Sequence, residues 1–138
     1  MAGNVGEARP LPERIDDRED LFYRWVPHTF TNSRGRTLNA GAFGRQENVE
    51  EGVSFDWSRY ATPEQTLGRS ARPEIRAGVV KTTAGQIWDS ELKVRHAPEL
   101  DNRAHSLVTG PSETRVRKTL VSICTWAIEL PTEGQGHT

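Results

Sequence analysis

The chain has 138 residues, a formal net charge of −1 and 34% hydrophobic residues, a length that sets one domain as the prior. The near-neutral charge excludes a global field that would draw in nucleic acid or an anionic membrane, and no apolar stretch approaches a membrane span. One cysteine excludes an intramolecular disulfide, which fits a reducing compartment, and the skew of 15 Arg to 3 Lys reflects GC-rich coding, as in many bacteria, more than any ligand.

Residues 1–18 are polar and charged, with Pro10 and Pro12, and too few apolar groups to offset the entropy of ordering. They are expected to be a mobile tail, and they lack the apolar core of a signal peptide, which points to the cytoplasm. Asp20 to Val26 crowds three aromatics into four positions and reads as a buried strand that Pro27 ends. Residues 31–36 read as a turn, since Asn32 and Ser33 bond their own backbone and Gly35 accepts a positive φ. Leu38 and residues 40–43 then offer a small apolar anchor, followed by a solvated loop over 46–51.

Residues 53–57 alternate apolar and polar, the signature of a half-buried strand. Thr62 starts a helix: it is a capping threonine, Pro63 takes the first helical position, and Gln65 completes a capping box. Gly68 limits that helix to a turn or two. Residues 75–83 form a second strand centred on Val79 and Val80, and Ala84-Gly85-Gln86 reads as a turn. Leu92, Val94 and His96 share one face of a further strand with Lys93 and Arg95 opposite. A turn at 98–102 leads to a short strand over 104–108.

Two periodicities compete near the end of the chain. As a strand, Leu120, Ser122, Cys124, Trp126, Ile128 and Leu130 share one face. As a helix, Val116, Leu120, Ile123 and Ala127 form a stripe, with Ser112 as cap, Glu113 in the first turn and Pro131 as the stop. The length of the segment favours a helix over 113–130. The expectation is an α+β fold: a small, mainly antiparallel sheet packed against a C-terminal helix, with one short additional helix. It occupies residues 19–130, between polar tails at 1–18 and 131–138, and its strand order is left open.

Candidate chemistry is sparse. His28, His96, His105 and His137 lie at no chelating spacing from one another or from Cys124, so no metal and no cofactor is expected. Cys124 sits in the main apolar run and reads as a small core hydrophobe, not a nucleophile. The basic groups Arg69, Arg72 and Arg76, and Arg103, Arg115, Arg117 and Lys118, have acidic residues between them. They read as solvated faces, so nucleic acid is not an expected partner. The sharpest constellation assigns catalytic roles to Arg24, His28 and His105 and ligand contacts to Tyr23, Asp56 and His96, flanked by Phe22 and Trp25. Against it stands the plainer reading that a half-buried histidine in a small sheet satisfies a local hydrogen bond.

Tyr23-Arg24 with Val26-Pro27, Ala42-Phe43, Val53 to Asp56, Thr62-Pro63-Glu64 with Leu67, and Ala104-His105 together resemble a pattern in a family of short bacterial single-domain proteins with no assigned activity. The opening Tyr-Arg strand is also similar to the RES and ADP-ribosyltransferase families, which implies an NAD-like ligand. Two functions follow as expectations. The first is a non-enzymatic interaction protein, an accessory or regulatory subunit with a protein partner and no membrane association. The alternative is a small enzyme acting on a nucleotide or NAD-like ligand through the constellation above.

Overall fold

The computed structural model describes residues 10–32, 37–43, 52–69 and 76–130. In chain order come β1 (Leu21–Pro27), β2 (Thr31–Asn32), β3 (Thr37–Leu38), β4 (Val53–Trp57) and α1 (Pro63–Gly68). Then follow β5 (Ala77–Thr83), α2 (Ala84–Asp89), β6 (Lys93–His96), β7 (His105–Thr109), α3 (Glu113–Ile123) and β8 (Thr125–Ile128). Six strands form one antiparallel sheet in the order β6-β7-β4-β1-β5-β8. The α+β class follows from helices covering this sheet.

β1 sits at the middle because its aromatics suit burial on both sides. It pairs with β5 along its whole length, from Leu21 opposite Thr83 to Pro27 opposite Ala77. With β4 the ladder registers Phe22 against Trp57 and Tyr23 against Asp56. Alternation along the strands divides the residues between two faces. Phe22, Val26, Phe55, Trp57, Val80 and Val108 enter the main hydrophobic core, closed by Phe43, Ile87, Val116 and Leu120. Phe22 stacks on Trp57, and Phe43 on Phe55. Tyr23 and Asp56 point to the other face, where α1 lies: Thr66 of α1 donates to Asp56 there at 2.7 Å.

Local chemistry explains the helix starts. Thr62 and Gln65 form the expected capping box. Ala84-Gly85-Gln86 is not a turn but the opening of α2, capped by the same device, with Thr83 accepting from the Gln86 amide and the Gln86 side chain returning to Thr83. The predicted helix over 113–130 ends at Ile123. Cys124 is its extended C-cap, and Thr125–Ile128 becomes β8 against β5. Thr125, Trp126 and Ile128 prefer a pleated surface, and β5 would otherwise present an unpaired edge. Gly78 makes this possible, since a Cβ there would lie 2.5 Å from the Ile128 carbonyl oxygen at the β5–β8 irregularity.

Residues 10–18, expected within a mobile tail, carry specific contacts. Ile15 packs against the core and Arg18 pairs with Asp89 at 2.6 Å. The expected features at 1–9, 33–36, 46–51 and 131–138 lie outside the described residues. Among the described residues, no helix is long and apolar enough to cross a membrane.

Candidate functional site

Beyond the Tyr23–Asp56 pair, Arg24 bridges β1 and β4 with its side chain. Nε donates to the Ala42 carbonyl at 2.9 Å, and Nη1 donates to the carbonyl and hydroxyl of Ser54 at 2.9 and 3.1 Å. A cleft of about 450 Å³ opens at this place. Its lining combines the aromatic residues Tyr23, Trp25 and Phe30 with the polar residues Arg69, Glu99, Asp101, Asn102 and His105. Its volume falls in the range of about 300–1,000 Å³ typical of small-ligand sites.

Asp56 is the tie at the cleft floor. Oδ2 accepts from Thr66 Oγ1 and from Arg69 Nη1, both at 2.7 Å, and Oδ1 accepts from Asn102 Nδ2 at 2.9 Å. The carboxylate is buried, yet both oxygens are satisfied, which is what a buried charge requires. It therefore fastens α1, β4 and the 97–104 turn together. Arg69 is about a third exposed, and Nη1 is the nitrogen that Asp56 engages.

His105 is the group best placed for chemistry. Its Nδ1–H donates to the Ala97 carbonyl at 2.8 Å, and a Glu99 carboxylate oxygen stands 3.8 Å from the same nitrogen. That arrangement fixes the ring and leaves the Nε2 lone pair for a proton; among the described residues Nε2 makes no hydrogen bond. Burial, and secondarily the Glu64 carboxylate, push the Tyr23 hydroxyl above its ordinary pKa, so it stays a neutral group in the cleft lining.

The expected constellation is thus brought together in part. Tyr23, Arg24, Asp56 and His105 line the cleft, whereas His28 and His96 do not. His28 begins the turn after β1, where its main-chain groups bond Arg76 and Thr31. His96 faces the core: Nδ1 accepts from the Glu13 amide at 2.9 Å, so Nε2–H donates to the Arg103 carbonyl at 2.7 Å. Phe22 is core as well, while Trp25 does border the cleft. Arg69, Glu99 and Asn102 were missed as site residues. Their sequence signals are those of a basic surface group and a turn: Glu99 and Asn102 share the turn that carries His105, and Arg69 is tied to that turn through Asp56. Among the described residues, no three His, Cys, Asp or Glu side chains gather as a metal-ligand set. Buried Cys124 has its thiol pushed up to about 12 by desolvation, slightly opposed by Arg24, and is inert as a nucleophile at neutral pH.

Compared with known proteins, the chain matches no family model, no curated protein and no solved structure.

Proposed function

We propose that the chain is a small enzyme that holds a nucleotide or NAD-like ligand in the cleft and uses His105 as its proton acceptor. The observation that carries this reading is the imidazole anchored through Nδ1 to Ala97, with Glu99 beside it and Nε2 unengaged on the wall of a 450 Å³ cleft. Such a base, taking a proton from water or a ligand hydroxyl, contributes about 10²–10⁴-fold to a rate. The aromatic faces of Trp25 and Phe30 suit a flat base, and the remaining N–H groups of Arg69 suit a phosphate. Glu99 and Asp101 suit ribose hydroxyls. Arg24, expected to be catalytic, works in this reading as part of the wall.

The accessory-subunit reading has less geometric support. Docking faces are contiguous apolar patches, and the exposed large hydrophobics among the described residues are Leu11 at 81% and Leu100 at 63%, which are single side chains in separate segments. Thermal-shift and calorimetric titration with AMP, ATP and NAD tests the enzyme reading. At a ligand concentration one hundred times Kd, binding adds about 2.7 kcal/mol of stability, so Tm rises for at least one ligand. Arg69→Ala removes most of that rise. His105→Ala retains binding and abolishes conversion of the bound ligand, followed by chromatography. No shift with any of the three, or shifts unchanged in Arg69→Ala, overturns it.

A further inference from the structure

A second polar cluster holds the turn that carries His105. Glu13, from the segment before β1, donates its amide to His96 Nδ1, and His96 in turn holds the Arg103 carbonyl. The Glu13 carboxylate accepts a hydrogen bond from the Tyr60 hydroxyl and forms ion pairs with Arg59 and Arg103, each at 3.3 Å. The Arg103 guanidinium lies 4.1 Å from the Tyr60 ring centroid, and the His96 ring stacks on Tyr60 with centroids 5.8 Å apart. The Tyr60 hydrogen bond, with Arg59 and Arg103 adding to it against some desolvation, holds the Glu13 carboxyl below its ordinary range. Glu13 is therefore ionised at neutral pH.

Arg103 directly follows Asn102, which lines the cleft. The Asn102 carbonyl accepts the amides of Glu99 at 3.0 Å and His105 at 3.2 Å, and the His105 carbonyl accepts the Ala97 amide at 2.9 Å. Residues 97–105 thus form one bonded unit, fastened by Asp56 at Asn102 and by Glu13 at Arg103. We propose that Glu13 is a positioning residue of the cleft, and that residues 10–18 form a strap whose grip on His96 and Arg103 sets the turn presenting Asn102 and His105. Release of the strap frees one of the two anchors and lets the turn, with its imidazole, shift against the cleft. Its consequence for activity rests on the cleft reading above; the strap itself does not.

Hydrogen exchange on the full chain without ligand tests this, comparing wild type with Glu13→Ala and Glu13→Gln. Losing a charge-assisted anchor should speed exchange at the amides of Ala97, Asn102 and His105 by roughly tenfold in Glu13→Ala, while amides of α3 and β5 keep their protection. Both variants keep the main-chain amide that donates to His96; Glu13→Gln also retains an acceptor for Tyr60 but not the charge facing Arg59 and Arg103, and falls between the two. The imidazole resonances of His105 should shift in Glu13→Ala and those of His28 should not. Unchanged exchange at the three amides, or an equal rise across α3 and β5, overturns the strap. Because no ligand is present, a failure of nucleotide binding leaves this result intact, and a failure here leaves the binding test intact.

Discussion

His96 and His105 lie on paired strands, yet they do opposite work. His96 stands opposite Ser106, one position along from His105, so strand alternation sends the two rings to opposite faces of the sheet. On the closed face, both nitrogens of His96 are bonded and Trp57 and Tyr60 pack around the ring. On the open face, His105 is bonded through one nitrogen and borders a cleft. A histidine with both nitrogens committed is a fastener. One committed through a single nitrogen is oriented and still able to take a proton.

The largest expected effect falls where the open face is tied down. Asp56→Ala removes three hydrogen bonds and strands the Arg69 guanidinium; breaking a buried pair costs about 3–5 kcal/mol, readable as a drop in the urea midpoint. A cost under about 1 kcal/mol would make Asp56 a surface charge, not a tie. Next comes the histidine contrast itself. His96→Ala opens a cavity beside Trp57 and orphans the Glu13 amide, at about 2–4 kcal/mol, whereas His105→Ala costs about 1 kcal/mol or less. Equal losses of stability would erase the division between the faces.

The smallest effect concerns the thiol at the end of α3. Burial raises Cys124 above its unfolded value of 9.0 to about 12, so the protonated thiol's contribution to stability is whole below about pH 9 and fades as pH climbs towards 12. At pH 8 the native protein should react with iodoacetamide no faster than it unfolds, and mass spectrometry reads the adduct directly. Rapid labelling of the folded chain would show that the closed face is open at Cys124.

Several features were legible because their causes are local. The Thr62–Gln65 box, the alternation of residues 53–57 and the aromatic run of β1 each arise within a few residues. The Thr83–Gln86 box has the same spacing, but Gly85 within it and the absence of a proline made a turn the nearer reading. The competing periodicities over 113–130 were both real, each governing one half. Leu120 keeps its place on the helical stripe, and Trp126 keeps its place on a strand. The division at Cys124 comes from β5, whose free edge lies some forty residues earlier in the chain.

By itself, then, the sequence determined the class of fold, the strands around β1, the capping of α1 and the burial of the thiol, since propensity and hydrophobic periodicity act over short distances. Tertiary structure decided the strand order, where α3 yields to β8, and which histidine faces the cleft. Those depend on register between distant strands, where one residue of slip exchanges the two faces. It also tied Arg69 through Asp56 to the turn that carries His105 and drew Glu13 to Arg103, through contacts that no spacing along the chain encodes.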